Sequence, residues 1–193
     1  FVIKLMAIGS TESAEFIVTK KGSGEKLFIE LVNGWNLFSI PGQLDVIDSK
    51  ECDSGGMKVF EYLAKEKKFV IATSTGGGVG KAYWVFNSGN KCYVNAIVRD
   101  AVPMNQLDEL VVGWNFVPVT VDMIGSKVRG IGKDCSPKAA YFYNANSKKW
   151  QNAMDKDISA ADLGKAFAIY ATKECSLGGS EATPPMPPLP GGG

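Results

Sequence analysis

Four cysteines are the residues of this chain with the clearest chemical potential, and their spacing is repeated. Cys52 and Cys92 lie 40 residues apart, and so do Cys135 and Cys175. Zinc and iron–sulfur sites use close pairs such as Cys-x-x-Cys, which the chain lacks, and four free thiols would not explain the equal spacing. The sequence therefore favours two disulfides, Cys52–Cys92 and Cys135–Cys175, which are typical of an oxidising compartment.

Histidine is absent from the chain. This excludes Ser-His-Asp and Cys-His catalysis and every site that needs a histidine ligand. An enzyme would have to use Ser-Lys chemistry, a carboxylate pair or a bound cofactor, and no such group of residues stands out. We therefore predict a protein that is not an enzyme and that holds no cofactor and no metal.

Two short stretches could suggest ligands but have simpler interpretations. Asp155, Asp157 and Asp162 could offer oxygen atoms to calcium, yet they lack the glycine and the final glutamate of an EF-hand, so a solvated loop is the default. Residues 75–82 resemble a phosphate-binding loop, but Thr75 and Ala82 depart from that pattern. We interpret this stretch as a structural turn that leads into a strand.

The chain repeats a set of landmarks in the same order, which indicates an internal duplication. Gly-Trp-Asn occurs at 34–36 and again at 113–115. A tyrosine-to-aromatic stretch at 62–69 matches 143–150, and Gly-Lys-Ala at 80–82 matches 164–166. The offset changes only from 79 to 84 residues along the repeat. Such a doubled frame is typical of a scaffold.

Apolar residues alternate with polar ones over most of the repeat, which predicts strands. We expect an all-β fold of two tandem, disulfide-stapled, β-sandwich or barrel-like modules over residues 25–99 and 100–178. Residues 1–24 form an N-terminal strand extension, and 179–193 form a Pro-rich and Gly-rich tail that favours polyproline II. Short helical turns are expected only at 44–50 and at 158–163, where Ser159 could cap the turn.

Charge and hydropathy narrow the class of partner. The net charge is +1, and hydrophobic residues make up 45% of the chain, as in a folded globular protein. No basic surface indicates nucleic acid, and no apolar stretch approaches the roughly 20 residues that span a bilayer.

The aromatic residues divide into two groups. Trp35 and Trp114 occupy matching places in the repeat and are expected to be core anchors. Trp84 has Ala168 as its counterpart, so it is the best candidate for a subunit contact or a sugar-stacking surface, although it could equally lie in the core and face the other module. The candidate contact or ligand aromatics are Tyr83, Trp84 and Trp150.

Gly-Trp-Asn-Leu-Phe-Ser-Ile-Pro (34–41), a central cysteine, a tyrosine hairpin and Gly-Lys-Ala-Tyr-Trp-Val (80–85) before a second cysteine form a distinctive order. This order resembles the "GWN…GKGYWV" β-modules of secreted and cell-surface proteins of archaea and bacteria. The likeness covers residues 26–98 and 106–178. The chain departs from it at Ala82, Ala166 and Ala168. The resemblance implies a surface location and a structural or adhesive role.

Together these observations predict an extracellular, cell-surface protein without catalytic activity. It would be a subunit of a filament, pilus or surface layer, with further copies of itself as its partner. Assembly would use an N-terminal strand that lies outside the repeat and adds to a sheet edge of the next subunit. The apolar residues of this strand are Phe1, Val2, Ile3, Leu5 and Met6. The alternative is a carbohydrate-binding or adhesion module that contacts surface glycans.

Overall fold

The computed structural model describes residues 4–6, 13–15, 24–50, 58–72, 78–132, 135 and 137–178. Over these residues the chain is all-β, with antiparallel strands, short 3-10 helices and no α-helix. The strands are β1 (Lys4–Met6), β2 (Ser13–Glu15), β3 (Glu25–Leu31), β4 (Gly34–Ile40), β5 (Gln43–Lys50), β6 (Lys58–Leu63), β7 (Lys68–Ile71), β8 (Lys81–Asn87), β9 (Cys92–Arg99), β10 (Gly113–Pro118), β11 (Pro137–Asn144), β12 (Lys149–Asn152) and β13 (Ala166–Ala171).

These strands form three larger sheets and one small one. Sheet I has three strands in the order β3-β9-β5, and sheet II has four in the order β4-β8-β6-β7. Sheet III also has four strands, in the order β10-β13-β11-β12. Among the described strands, β1 and β2 pair only with each other. Sheets II and III thus have the same strand order, with the Gly-Trp-Asn strand at one edge and the second strand of the hairpin at the other.

The asparagine of each Gly-Trp-Asn motif explains why this tripeptide is used. The amide nitrogen of Asn36 donates to the carbonyls of Val32 and Gly34 at 2.8 and 2.9 Å, and its oxygen accepts from the Val32 N–H at 2.9 Å. Asn115 makes the same three bonds in the second half. Its amide nitrogen donates to the carbonyls of Val111 and Gly113 at 2.8 and 3.0 Å, and its oxygen accepts from the Val111 N–H at 3.0 Å. Because both asparagines are buried, these bonds satisfy backbone groups that would otherwise lose water without replacement.

The glycine of each Gly-Trp-Asn motif adopts a backbone conformation with a positive φ angle. Gly34 and Gly113 have φ values of 99° and 113°, which L side chains rarely adopt. The asparagine that follows two residues later then faces inward, so the tryptophan between them faces outward. Trp35 and Trp114 are 42% and 41% exposed. The expectation that these tryptophans are core anchors is therefore wrong.

The main core lies between sheet I and one face of sheet II and continues into the second half of the chain. Leu27, Ala96 and Val98 of sheet I belong to the same buried cluster as Tyr83 and Val85 of sheet II. The opposite face of sheet II meets sheet III, where a smaller buried cluster is formed. Sheet II is therefore covered on both of its faces.

In the described part of the second half, one isolated bridge stands in the place of sheet I. Leu110 and Cys175 form an isolated antiparallel bridge, in the place where Leu31 pairs with Cys92 in the first half. The 3-10 helices Val121–Met123 and Val128–Gly130 lie where the first half has β5. At the place of β3 and β9, the described part of the second half thus has a single bridge.

One of the two predicted disulfides lies among the described residues. Cys135 and Cys175 are joined with an S–S distance of 2.01 Å and a Cα–Cα distance of 5.3 Å. Cys92 is buried at the start of β9. Its predicted partner Cys52 lies outside the described residues, so the pairing Cys52–Cys92 stays a prediction.

Other local expectations have mixed outcomes. The helical turn predicted at 158–163 is the 3-10 helix Ala160–Asp162, which follows Ser159. The helix predicted at 44–50 is wrong, because residues 43–50 form β5 and pair with β9. Of the predicted N-terminal strand, Leu5 and Met6 belong to β1. The residues Phe1, Val2 and Ile3, like the tail 179–193, lie outside the described residues.

Candidate functional site

The feature that could serve binding is an aromatic layer, formed where sheets II and III face each other. Its rings in sheet II are Trp35, Phe60, Tyr62, Phe69, Trp84 and Phe86. Its rings in sheet III are Trp114, Phe116, Tyr141, Tyr143, Trp150 and Tyr170. Phe116 makes contacts across the interface, with ring centroids 5.3 Å from Tyr62 and 6.2 Å from Phe69.

Trp84 lies at the centre of this layer. Its ring centroid is 4.9 Å from that of Tyr143, 5.7 Å from Trp150 and 5.9 Å from Phe116, all of which belong to sheet III. Its indole nitrogen is buried, and no hydrogen-bond acceptor is found for it in the described part of the chain. Of the two interpretations of Trp84, the structure shows the one in which it packs against the other half of the chain.

The other two candidate aromatics differ in exposure. Tyr83 is only 2% exposed and packs on Phe38, and its hydroxyl accepts from the Gly78 N–H at 2.7 Å and donates to the Gly78 carbonyl at 3.1 Å. Burial raises the pKa of Tyr83 above its ordinary value. A surface role for Tyr83 is therefore wrong, because it faces the core. Trp150 is 44% exposed, so its ring remains partly available.

The aromatic layer ends in two exposed patches at equivalent places of the two sheets. The Trp35 patch consists of Trp35, Phe60 and Phe86, with ring centroids 5.7 and 5.2 Å from that of Trp35. The Trp114 patch consists of Trp114, Tyr141 and Tyr170, with corresponding distances of 6.0 and 5.2 Å. The Trp35 patch carries only hydrocarbon rings around its tryptophan, whereas the Trp114 patch carries two hydroxyl groups.

These patches were not predicted from the sequence, although a signal was present. Phe60 matches Tyr141 and Phe86 matches Tyr170 in the frame of the repeat, so each aromatic position is doubled. The sequence shows these matched aromatic positions. It does not show that a second sheet covers the centre of the layer and leaves its ends open.

The charged side chains with the strongest electrostatic environment surround Asp162. Its side chain is 3% exposed and accepts from the ammonium groups of Lys156 at 2.5 Å and Lys165 at 2.9 Å. The backbone and hydroxyl of Ser159 also donate to it, at 3.0 and 2.9 Å. Burial alone would raise the pKa of Asp162, but these hydrogen bonds outweigh it and hold the pKa well below its ordinary value.

Asp162 is therefore committed to two lysines and is not a calcium ligand in this arrangement. Asp155 pairs with Arg129. Within the described residues, no group of three or more cysteine, aspartate or glutamate side chains could hold a metal ion. The lysine of the glycine-rich stretch is also committed, since Lys81 forms an ion pair of 2.6 Å with Glu61. Gly80 and Gly164 have similar positive φ values of 76° and 80°, which fits a structural turn.

We predict that Asp162→Asn destabilises the fold by about 2 kcal/mol at pH 7, because two lysines lose a buried counter-ion but remain partly hydrated. The folded pKa of Asp162 lies below its unfolded value of 3.8. The contribution of the Asp162 carboxylate to the free energy of unfolding is therefore complete above the unfolded pKa. It is lost as the pH falls through the folded pKa. Urea unfolding from about pH 7 to pH 2 should show the difference between wild type and variant shrinking below about pH 5.

The exposed aspartate Asp155 offers a control for this measurement. Its side chain is 71% exposed, so Asp155→Asn should change the free energy of unfolding by less than about 0.5 kcal/mol at any pH. A wild-type minus Asp162→Asn difference that stays constant down to pH 2 would contradict the assignment.

Comparisons with protein-family models, with curated proteins and with solved structures find no match to this chain. The resemblance to the "GWN…GKGYWV" modules therefore stays a prediction. Within the described residues, no helix has the length and apolar character needed to cross a bilayer. The aromatic layer and its two patches are the parts of this β-rich chain that are best suited to packing or binding.

Proposed function

We propose that the protein is an extracellular structural subunit without catalytic activity, which assembles into a filament, pilus or cell-surface layer. Its two halves would be homologous β modules, each stapled by a disulfide. The shared strand order of sheets II and III and the repeated Asn36 and Asn115 hydrogen bonds support the duplication. The Cys135–Cys175 disulfide is typical of proteins that work outside the cytosol.

The observation that carries the assembly proposal is the apolar outer edge of β7. This strand pairs with β6 on one side, and no other described strand pairs with its outer edge. Phe69 and Ile71 on this strand are 53% and 61% exposed. Soluble proteins usually protect such edges with charges, prolines or covering elements, because an unpaired edge recruits other strands.

The equivalent edge in the second half is protected in a different way. Asn152 of β12 occupies the place of Ile71, and Gln151 occupies the place of Val70. Trp150 occupies the place of Phe69, so the duplicated edges differ at the other two positions, which are apolar in β7 and polar in β12. This divergence supports a specific role for β7 in accepting a strand.

The donor would be the N-terminal strand, as the sequence predicts. Among the described strands, β1 pairs only with β2, over the three residue pairs from Lys4 with Glu15 to Met6 with Ser13. A two-stranded hairpin is marginally stable on its own. Addition of this segment to β7 of the next copy would give it backbone hydrogen bonds and a sheet to join.

The matched positions of the two edges supply the experiment. Ile71→Lys should keep the protein monomeric in sedimentation and electron microscopy, because a lysine on an edge strand opposes strand addition. Asn152→Lys should assemble as the wild type does. Deletion of residues 1–8 should prevent assembly as Ile71→Lys does. Normal polymers from the Ile71→Lys variant, or a wild type that stays monomeric at all concentrations, would refute the proposal.

A second candidate function, glycan binding, is favoured by the chemistry of the Trp114 patch. Sugars stack on aromatic rings and need hydrogen-bonding groups nearby. Tyr141 and Tyr170 supply hydroxyls beside the exposed Trp114 ring, whereas Phe60 and Phe86 do not supply them beside Trp35. The Trp114 patch therefore has the composition of a sugar platform and the Trp35 patch does not.

A glycan screen with matched variants tests this second candidate. Trp114→Ala should abolish glycan binding, while Trp35→Ala should leave it unchanged. A wild-type protein that binds no glycan, or equal losses in both variants, would rule out the Trp114 patch as a glycan site and leave the assembly proposal untouched.

A further inference from the structure

A groove of about 500 Å³ lies between sheets II and III at the place where the described chain ends. One wall is formed by Tyr62 of β6 and by Ala64 of the turn that follows, and the other by Phe116 and Pro118 of β10. Leu177, one residue before the end of the described chain, also lines it. The volume falls within the range of roughly 300–1,000 Å³ that is usual for ligand clefts.

The duplication gives this groove a counterpart of about 680 Å³, which is lined by Ala145, Gly164 and Lys165. The two grooves differ in the strand that borders them. At the equivalent place in the first half, the Ser39 N–H donates to the Gly164 carbonyl at 2.7 Å and the Ser39 hydroxyl donates to the Lys165 carbonyl at 2.6 Å. Pro118 of β10 takes the place of Ser39, and proline has neither an N–H nor a hydroxyl. The corresponding bonds to Gly80 and Lys81 therefore cannot form, so the carbonyls of these two residues receive no hydrogen bond from Pro118.

The occupant that fits this groove is the Pro-rich segment of the same chain. After Gly178 the sequence continues for 15 residues, and residues 184–190 are Pro-Pro-Met-Pro-Pro-Leu-Pro. Such a segment favours polyproline II, which has a rise of about 3.1 Å per residue and docks on grooves lined by aromatic rings. Leu177 lies in the wall of the groove, and the first proline of the segment follows it after only seven residues.

The groove has the chemistry that a polyproline segment needs. Tyr62 and Phe116 offer perpendicular rings with centroids 5.3 Å apart. Lys65 on the rim can donate to backbone carbonyls, which are the main polar groups that a proline run presents. Residues 182–193 carry no charge, so docking them buries no ion.

We propose that residues 184–190 occupy this groove in the same chain as a polyproline II segment, with prolines against Tyr62 and Phe116. The segment would then lie against both halves of the molecule. This proposal does not depend on the assembly function proposed above.

The experiment uses the full chain and a fluorescein-labelled peptide of residues 179–193, with binding followed by fluorescence anisotropy. In one variant the segment is disabled by Pro184→Ser, Pro185→Ser, Pro187→Ser and Pro188→Ser together. This variant should bind the peptide saturably. The wild-type chain should bind it at least about tenfold more weakly, because its own segment competes at high effective concentration. A peptide with the same four substitutions should not bind.

The repeat provides a matched pair of groove variants in the background of the disabled segment. Ala64→Glu should weaken peptide binding at least tenfold, because it places a charge and extra volume in the groove. Ala145 occupies the same place in the counterpart groove, where Leu37 replaces the Phe116 ring. Ala145→Glu should therefore leave binding unchanged. Absence of saturable binding, equal binding by wild type and disabled variant, or equal effects of the two alanine substitutions would overturn the proposal.

Discussion

Replacing Cys135 and Cys175 together by alanine is expected to lower the free energy of unfolding by about 4 kcal/mol. The two cysteines are 40 residues apart, and a cross-link over a loop of this length removes conformational entropy from the unfolded chain. The loop contains β11, β12 and β13, which are three of the four strands of sheet III. Urea unfolding of the oxidised proteins measures the difference.

The same variant tests the disulfide that lies partly outside the described residues. If Cys52 and Cys92 form the second bridge, a reducing agent should destabilise the Cys135→Ala, Cys175→Ala variant further, by a similar amount. Without that bridge, the reductant should leave the variant unchanged. A loss of less than about 1 kcal/mol for the double substitution itself would contradict the predicted contribution of the Cys135–Cys175 bond.

Replacing Trp84 by alanine is expected to cost about 3 kcal/mol of folding stability. A tryptophan in a core usually contributes about 3–5 kcal/mol by this measure, and Trp84 is only half-buried. Its ring contacts three rings of sheet III and also that of Trp35 in its own sheet. The substitution therefore opens a cavity in the middle of the aromatic layer, and urea unfolding should report it.

Two further variants separate this packing role from a ligand-binding role. Trp84→Phe should cost less than about 1 kcal/mol, since it keeps most of the ring and removes a buried N–H for which no acceptor is found among the described residues. Trp35→Ala, at the exposed end of the layer, should cost about 1 kcal/mol. If Trp84→Ala left stability unchanged and removed affinity for a glycan, the packing role would be wrong.

Much of the strand framework could be predicted because the repeat encodes it twice. The hairpin over residues 62–69 and the strands after Gly80 and Gly164 follow from alternation and from turn residues at matching offsets. In contrast, β5 was missed because Asp45 and Asp48 disfavour a strand locally. Pairing with β9 overrides that preference, with a bulge between Val46 and Asp48.

The candidate site could be predicted only in part, for a physical reason. Side chains alternate between the two faces of β8, so Trp84 and Phe86 lie on the face opposite Tyr83 and Val85. This alternation cannot show which face is buried, because sheet I covers one face of sheet II and sheet III covers the other. For the same reason Trp35 was misassigned, since its burial depends on where the second sheet ends.

Trp84 and its counterpart Ala168 differ greatly in size, and this difference bears on whether neighbouring chains can exchange halves. If the first half of one molecule packed on the first half of another, a second indole would have to fit where the second half of the chain carries Ala168. If two second halves packed on each other, both would carry Ala168 and neither would supply an indole ring. Each half is thereby matched to the other half of its own chain, which discourages domain exchange at high protein concentration.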